Sequence, residues 1–528
     1  MKKVTSSRIS QLLFLALFLV LFLMTEYRGS DRIVAAVNGF FRANPLTAAS
    51  TMLAAREYQP LLLPGLLVLV AALFLGRFFC GWICPLGTIL DLVTGRIRKV
   101  GALRALTGRA KYWLLLPLLT ASLLGVNLAG LFDPIALLLR ALTFFFHPLF
   151  GDTVRGGWRS LYGVMGERRD LLDPGYRLLR DYLLPFRETL YPLAFLSAFL
   201  FMLILFLERY ERRAWCRRLC PLGTLLGLVS RLGPLHRTPA KLCADCQACR
   251  EHCPTSFDRD LLQMDECILC LECSLRCPSQ RVRFRFAGSC PQVGPVMERR
   301  VFLGGLVGGV VLAKGFRFRE PAAQAKLLRP PGVRDEDDFL KKCVRCGECM
   351  KVCLRSALYP AFFQAGVEGM YTPLLVPRLG YCEYNCTLCG QVCPTGAIPD
   401  LGREEKQRQV IGKAVFDKNH CLPFAKRIDC IVCEEHCPIP GKAIRSERVE
   451  LTGFDGVKRV VQQPYVVDEL CNGCGICENV CPLEGKAAIE VFRVKDRTPL
   501  KEVSPAPAMP GAPPPDASPY TDPYGGNS

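Results

Sequence analysis

Long uncharged apolar runs alternate with short charged loops in the first 210 residues. Four stretches contain no Asp, Glu, Lys or Arg, and each is near the length with which a helix crosses a membrane. They are residues 9–25, 58–76, 112–132 and 189–207. Lys2, Lys3 and Arg8 precede the first run as in a signal peptide, but no small-x-small cleavage site follows closely, which favours an uncleaved anchor. The pattern predicts a membrane α-helical bundle of four helices in residues 1–237.

Loop charges predict the orientation of these helices. Loops rich in Lys and Arg stay in the cytoplasm, which assigns the loops after the second and fourth runs to that side. The loops 26–57 and 133–188 nearly balance their charges, so we expect them outside. The basic residues of the two cytoplasmic loops are Arg77, Arg96, Arg98, Lys99, Arg104, Arg109, Lys111, Arg209, Arg212, Arg213, Arg217 and Arg218.

From residue 242 the apolar runs give way to short segments punctuated by Cys, Pro and Gly. Such segments build small α+β domains whose stability comes from bound metal. We distinguish a first cysteine-rich unit (238–292) and a second cysteine-rich unit (335–495), joined through an apolar segment (297–316). The tail 496–528 is rich in Pro, Ala, Gly and Ser and is predicted to be disordered.

Charge and cysteine content narrow the possible functions. Lys and Arg exceed Asp and Glu by 67 − 48 = 19, and the chain has 29 cysteines in tight clusters. A basic excess ordinarily raises nucleic acid as a partner. Six clusters of four thiolates, each with about two negative charges, would cancel more than half of that excess. We therefore predict no nucleic-acid partner.

The first cysteine-rich unit contains two groups with the spacing CxxCxxCxxxCP of bacterial ferredoxins. Three thiolates of a group bind one 4Fe-4S cube and the fourth reaches the neighbouring cube. We thus expect Cys277 to complete the cube of Cys243, and Cys253 that of Cys267. Zinc would favour two separated CxxC pairs. The groups are Cys243, Cys246, Cys249, Cys253 and Cys267, Cys270, Cys273, Cys277.

The second cysteine-rich unit contains four more groups, which brings the predicted total to six 4Fe-4S clusters. In order, they are Cys343, Cys346, Cys349, Cys353; Cys382, Cys386, Cys389, Cys393; Cys421, Cys430, Cys433, Cys437; and Cys471, Cys474, Cys477, Cys481. Their order resembles the electron-transfer subunits of molybdopterin oxidoreductases, such as the B subunit of dimethyl sulfoxide reductase. That resemblance implies that group one exchanges its last cysteine with group four, and group two with group three.

Five cysteines remain, and four of them form the matching motifs FCGWICPLGT and WCRRLCPLGT. These cofactor-binding candidates are Cys80, Cys84, Cys216 and Cys220, whereas Cys290 is expected to be structural. Thiols four residues apart share a helix face, so the four could converge near the inner membrane surface. They could ligate metal, act as redox thiols or hold a cluster, and the alternative is simple packing.

Over residues 1–290 the chain resembles NapH, the membrane ferredoxin-type protein of periplasmic nitrate reductase systems. Over residues 297–495 it resembles NapG, the exported ferredoxin-type partner, so the two are fused here. The resemblance implies a quinol dehydrogenase component of a respiratory chain. Electrons would pass from the membrane quinone pool to a periplasmic or membrane-associated reductase or cytochrome. The membrane half also resembles NosR and CcoG, which implies metal reduction, assembly or regulation as an alternative.

The segment after Arg299 and Arg300 looks like a twin-arginine signal placed inside the chain. If it forms a fifth membrane helix, the first cysteine-rich unit is cytoplasmic and the second is periplasmic, on the far side of the inner membrane. Its thirteen uncharged residues, 301–313, rise only about 20 Å against a core of about 30 Å. If they do not cross, the protein is a membrane-anchored cytoplasmic polyferredoxin.

The quinol site has no motif of its own. Asp133 in GLFDP and His147 in FFFHPL lie near the outer end of the third run and could accept a proton. The alternatives are that Asp133 caps a helix and that His147 is merely interfacial.

Overall fold

The computed structural model describes residues 6–94, 110–165, 170, 172–187, 189, 191–237, 253–255, 266–275, 277, 282–286, 298–315, 326–452, 458–494 and 498–500. The predictions for Cys243, Cys246, Cys249, Cys290 and the tail beyond residue 500 lie outside these residues.

Helices dominate the described part of the N-terminal region. They are α1 (Ser6–Met24), α2 (Asn38–Arg42), α3 (Pro45–Ala55), α4 (Leu63–Leu75), α5 (Phe78–Trp82), α6 (Pro85–Thr94), α7 (Ala110–Leu123), α8 (Ala129–Phe132), α9 (Pro134–Ala141), α10 (His147–Met165), α11 (Asp173–Tyr182), α12 (Ala194–Leu207), α13 (Ala214–Arg218) and α14 (Pro221–Arg231). A 3₁₀ turn, Pro60–Leu62, precedes α4, and a π-helical turn, Leu142–Phe146, joins α9 to α10.

By length and composition, two helical stretches in the described residues could cross a membrane: α1 and the continuous stretch Pro134–Met165. The other predicted runs form shorter apolar helices, namely α4, α7 and α12. The third run ends nine residues before its predicted end, because α7 stops at Leu123 and Gly125 then adopts a positive φ of 86°.

The stretch Pro134–Met165 shows that much of the segment 133–188 is helical rather than an irregular loop. Its first half is buried among the other helices. Because Arg140 lies within the apolar pattern, this stretch is not an uncharged run in the sequence. Its guanidinium is buried, donates to the Leu131 carbonyl at 2.8 Å and lies 4.5 Å from the centre of the Tyr371 ring. These contacts are what let a charged side chain lie inside the bundle.

Four helices begin with proline, after Asn44, Cys84, Asp133 or Cys220. Proline suits the first turn because its φ is already helical and it lacks the N–H that would be unpaired there. The side chain of Asn44 caps α3, that of Asp133 caps α9 and that of Cys220 caps α14. Asn44 Nδ2 also donates to the Asp133 carboxylate at 2.5 Å, so two of these starts lie together.

The glycine-rich helix, Arg299–Gly315, packs on α7. A Cβ atom on Gly305 would lie 2.7 Å from the Leu116 side chain, and one on Gly309 would lie 2.4 Å from Thr120. Glycine therefore permits a backbone approach that other residues would prevent. Later residues of one helix meet later residues of the other, so the two helices run parallel.

The second cysteine-rich unit combines short helices with two-stranded antiparallel sheets. The sheets pair β3 (Leu358–Pro360) with β4 (Pro373–Leu375), β5 (Lys413–Phe416) with β8 (Ile489–Phe492), and β6 (Ile444–Thr452) with β7 (Lys458–Val466). Its helices are Glu336–Lys342, Glu348–Lys351, Leu388–Gln391, Arg403–Arg408, Leu422–Ala425, Val432–Glu435 and Ile476–Asn479. In the first unit, the helix Glu272–Leu275 is described, and β1 (Leu235–Arg237) pairs with β2 (Phe284–Phe286).

Helix α1 connects the two cysteine-rich units. Near its start, the Ser7 hydroxyl donates to the Cys270 carbonyl of the first unit at 3.0 Å. Just beyond its end, Glu26 pairs with Lys351 of the second unit at 2.8 Å. The two units therefore lie at opposite ends of α1.

Helix α7 has the same orientation. Lys111 at its start pairs with Glu266 of the first unit. Asn127, just after its end, donates from Nδ2 to the Lys341 carbonyl of the second unit at 3.0 Å. The glycine-rich helix runs parallel to α7, so it leads the chain from the first unit to the second.

Candidate iron-sulfur sites

One cavity of the second unit is lined by cysteines from two different groups. Cys343, Cys346 and Cys349 line it together with Cys393, the last cysteine of group two. The loop that carries the first two thiols and the short helix Glu348–Lys351 come from group one, whereas Cys393 follows another short helix, Leu388–Gln391.

The complementary cavity lies beside the first. It is lined by Cys382, Cys386 and Cys389 of group two, together with Cys353 of group one. The two groups thus exchange their last cysteines with each other. The expected exchange of group one with group four, and of group two with group three, is wrong.

Groups three and four lie next to each other. Cys437 is close enough to Cys471 and Cys474 of group four for their charges to interact, and Cys481 is close enough to Cys421, which is the arrangement that an exchange of last cysteines would give. The helices Val432–Glu435 and Ile476–Asn479 pack together and bring the two groups side by side. The physical reason for the corrected pairing is that packing of these short helices, rather than order along the chain, selects the fourth thiol.

In the first unit, Cys253 lies close enough to Cys267 and Cys270 for their charges to interact, as the ferredoxin spacing predicts. Cys273 belongs to the same group of thiols. Cys277 is buried, but the group of Cys243 that it is expected to complete lies outside the described residues.

The donor sets suit a polynuclear iron centre. Burial raises the pKa of the Cys386 and Cys474 thiols to about 12, so a nearby cation is needed to hold them as thiolates. Backbone N–H groups point at the sulfurs and favour their ionised form, with Ala357 N at 3.2 Å from Cys353 Sγ and Ile398 N at 3.4 Å from Cys393 Sγ. A bound 4Fe-4S cube supplies one-electron redox chemistry at such a site.

Each of the two cavities of groups one and two is lined by four cysteines. A 4Fe-4S cube needs such a set, because each iron binds its own thiolate.

The two CxxxCP motifs come together in the core of the helical region. Cys80, Cys84, Cys216 and Cys220 are all buried and belong to one apolar cluster. Cys216 and Cys220 both lie within electrostatic range of Cys80 and Cys84. The structure therefore brings the four thiols together, as the repeated motif predicts.

The two residues predicted for a quinol site lie in different surroundings. Asp133 is buried and accepts hydrogen bonds at 2.9 Å from the backbone N–H groups of Ile135 and Ala136, so it caps α9. His147 is also buried, and its Nε2 lies 3.0 Å from the Leu183 carbonyl. Because a carbonyl only accepts, Nε2 must carry the hydrogen.

A cavity of about 450 Å³ opens between the end of α1 and the α11 region, and its lining includes Leu183, whose carbonyl contacts His147. Its lining residues include Glu26, Arg28, Arg155, Tyr182 and Phe186. The volume falls in the usual range for small-molecule sites. Glu26 was missed by the sequence reasoning. Its position as the first acid after an apolar run was the one available signal.

Comparison with known families adds an independent view of the helical region. The family model described as a 4Fe-4S binding domain matches residues 59–102 and again residues 190–239. Each matched segment contains one CxxxCP motif and therefore two cysteines. No solved structure matches the chain.

Several curated proteins are similar to parts of the chain. A methylamine utilization ferredoxin-type protein, MauM of Methylorubrum extorquens, is 40% identical over 157 residues, which cover 29% of this chain and 67% of that protein. The ferredoxin-type protein NapG of Escherichia coli is 36% identical over 189 residues, 34% of this chain and 80% of NapG. The putative electron transport protein YccM of Escherichia coli is 30% identical over 214 residues, 40% of this chain and 51% of YccM.

The cavities lined by four cysteines each, which we call cages, and these similarities define an iron-sulfur electron-transfer protein of the ferredoxin type. Within that class, the chain belongs to the family of ferredoxin-type proteins that includes MauM and NapG. The expected resemblance to NapG and NapH is confirmed.

Proposed function

We propose that the protein oxidises quinol within the inner membrane and relays the electrons through 4Fe-4S clusters to a partner reductase or cytochrome. The observation that carries this proposal is the cavity at the end of α1. It combines aromatic and aliphatic side chains with three arginines and with Glu26, whose side chain is 10% exposed, and it lies beside the second cysteine-rich unit. Redox sites for quinol need this combination, because the ring is apolar whereas its oxidation releases protons.

We assign proton removal to Glu26, which lines the cavity, and His147, which contacts the lining residue Leu183, is the candidate second acceptor. Oxidation of quinol releases two electrons and two protons. Each cube accepts one electron and no proton, so both protons must be accepted at the cavity. The Glu26 carboxylate lines the cavity and is held by Lys351. His147 packs edge-on against Phe22, with ring centres 5.2 Å apart. Asp133 caps a helix outside this cavity, and we do not assign it a proton.

Electrons from this cavity have a short route to iron. Lys351 lies two residues from Cys349 and two from Cys353, which belong to the two neighbouring thiol cages of groups one and two. Quinol in the cavity would therefore face two one-electron acceptors. Cubes in groups three and four would carry electrons outward, and six cubes in all follow from the 24 ferredoxin-type cysteines.

The membrane topology is part of the proposal. The glycine-rich helix has 17 residues and rises about 26 Å, which nearly spans a hydrocarbon core. Its parallel packing on α7, with the two units at opposite ends, supports a crossing of the membrane. The first unit would lie in the cytoplasm and the second in the periplasm, consistent with the basic loops around Arg77 and Arg213 near the first unit.

Lipid access to the cavity is supported by its rim. Tyr182, Leu183 and Phe186 line it and expose much of their apolar surface. Amphipathic aromatic side chains of this kind favour the interface between lipid and water. A quinol could therefore enter sideways from the bilayer.

The experiment is anaerobic purification of the full chain in detergent, followed by addition of ubiquinol or menaquinol and electron paramagnetic resonance of the clusters. We expect signals of reduced cubes to appear with at least one quinol. Clusters that are reduced by dithionite but by neither quinol would overturn the proposal and favour a role in metal reduction or cofactor assembly. Protease protection in oriented vesicles tests the topology: cleavage of the second unit only from the cytoplasmic face rejects the crossing.

A further inference from the structure

The sequence RxxCxxxCPLGT occurs twice, at residues 77–88 and 213–224. In both copies the chain forms a short helix, α5 or α13, that carries the first cysteine. The second cysteine then directly precedes the helix α6 or α14. The two copies are therefore alike in structure as well as in sequence.

The arginines of the two copies are exchanged. Arg77 Nη2 donates to the Cys216 carbonyl at 3.1 Å, and Arg213 Nη1 donates to the Cys80 carbonyl at 2.9 Å. Their side chains are 1% and 0% exposed. Each copy thus places a buried guanidinium beside the first cysteine of the other copy.

The glycine of each motif makes room for this exchange. A Cβ atom on Gly223 would lie 2.5 Å from Arg77 Nη2, and one on Gly87 would lie 3.5 Å from Arg213 Nη2. The first distance excludes any other residue unless the guanidinium moves. The repeat therefore specifies a joint site in which the two copies interlock.

Guanidiniums and backbone N–H groups lie beside the thiols of the joint site. Arg77 lies within electrostatic range of Cys80, Cys216 and Cys220. Cys220 Sγ accepts a hydrogen bond from the Gly223 N–H at 3.4 Å, and the Gly87 N–H reaches Cys84 in the same way. Asp91 at 2.7 Å from Arg213, and Glu266 at 3.3 Å from Arg77, hold the guanidiniums in place. A cube with four thiolates carries about two negative charges and would gain from these cations and N–H groups.

Simple packing of cysteines does not account for this arrangement. Burial of two arginines is costly even beside their acidic partners, and apolar packing around four thiols would not need guanidiniums. A cube needs four thiolates, and each copy of the motif supplies two. The two copies together supply the full set.

The joint site lies between the two cysteine-rich units. On one side, Trp82 Nε1 donates to the Leu269 carbonyl, within the loop of the Cys267 group, at 3.0 Å. On the other side, Asp133 lies within electrostatic range of Cys84. Three residues before it, a Cβ on Gly130 would lie 2.1 Å from the carbonyl of Val344, which belongs to the first cysteine group of the second unit.

We propose that Cys80, Cys84, Cys216 and Cys220 together bind a seventh 4Fe-4S cube, which conducts electrons through the helical core between the Cys267 cube and the Cys343 cube. In each step the donor cube changes from the +1 to the +2 state, the acceptor changes from +2 to +1, and no proton moves. The direction of electron flow through this cube rests on the proposed function. The site itself is defined by the two copies of the motif RxxCxxxCPLGT.

The test compares iron and acid-labile sulfide in the anaerobically purified full chain and in two variants. We expect about 28 iron atoms per wild-type chain and about 24 in Cys84→Ser/Cys220→Ser, with one component lost from the redox titration followed by paramagnetic resonance. The matched control is Cys290→Ser, which removes the one cysteine outside the seven quartets and should retain about 28. If the double variant does not accumulate, native mass spectrometry of the wild type counts the cubes directly.

Two results overturn the seventh cube: about 24 iron atoms in wild type and double variant alike, or a zinc ion or a disulfide at the joint site. The two proposals fail separately. If seven cubes are present but no quinol reduces them, only the proposed quinol oxidation is overturned. If six cubes are present and quinol reduces them, only the seventh cube is overturned.

Discussion

The Lys351 ammonium lies 2.8 Å from the Glu26 carboxylate, and the two side chains are only 3% and 10% exposed. The pair joins the end of α1 to the helix that carries Cys349. Lys351 also lies 4.3 Å from the centre of the Phe22 ring, which in turn contacts His147. This ion pair is thus one of the contacts that hold the cavity, the first helix and the cluster-bearing unit in one arrangement.

Glu26→Gln should slow the reduction of the clusters by quinol at least tenfold, because a carboxylate in position to accept a proton contributes about 10² or more to the rate. Stopped-flow absorbance after mixing with quinol measures the effect. The iron content should stay at the wild-type level.

The matched control for this prediction is Glu57→Gln. Glu57 also pairs with the second unit, through Lys342 at 3.4 Å, but it is 61% exposed and lies away from the cavity. Such an exposed pair contributes at most about 1 kcal/mol, so the control should react like wild type. Equal slowing in both variants would show that docking of the second unit, rather than proton transfer, had been disturbed.

The exchange of last cysteines predicts which double variants lose one cube and which lose two. Cys343→Ser/Cys393→Ser removes two ligands of one cage and should cost about four iron atoms, whereas Cys343→Ser/Cys481→Ser should cost about eight. Metal analysis distinguishes the two. The reverse result would restore the exchange between groups one and four.

The contact of the glycine-rich helix with α7 predicts a steric effect. Gly309→Leu would drive a side chain into Thr120 and should destabilise the protein by about 2 kcal/mol, seen as a lower midpoint of thermal unfolding in detergent. Gly315→Leu is the control, because a Cβ there meets nothing within 4 Å. Equal midpoints for the two variants would argue against this packing.

Removal of iron should unfold the second cysteine-rich unit. Four of its described helices that carry cluster cysteines have only four residues each, too few to be stable without the cross-links that the cubes provide. They are Glu348–Lys351, Leu388–Gln391, Val432–Glu435 and Ile476–Asn479. After oxidation and chelation, limited proteolysis should digest this unit while the apolar helices persist. An iron-free unit that resists protease would contradict the prediction.

Part of this protein follows from local spacing. In four of the six groups three thiols lie within seven residues and must wrap one cube, so the sequence predicts these triplets of cluster ligands without knowledge of the fold. Similarly, the uncharged run that became α1 identifies a possible membrane helix by itself, because length and hydropathy are properties of the segment.

Other features depend on contacts between distant segments, and no local pattern contains them. The fourth thiol of each cage in the second unit comes from whichever short helix packs alongside. The burial of Arg140 within the stretch Pro134–Met165 depends on its partners Leu131 and Tyr371. The joint site of Arg77 and Arg213 requires two motifs more than 130 residues apart to interlock. Sequence determined which groups can bind iron, and tertiary packing decided which of them share it, because the energy of bringing distant segments together belongs to the whole fold.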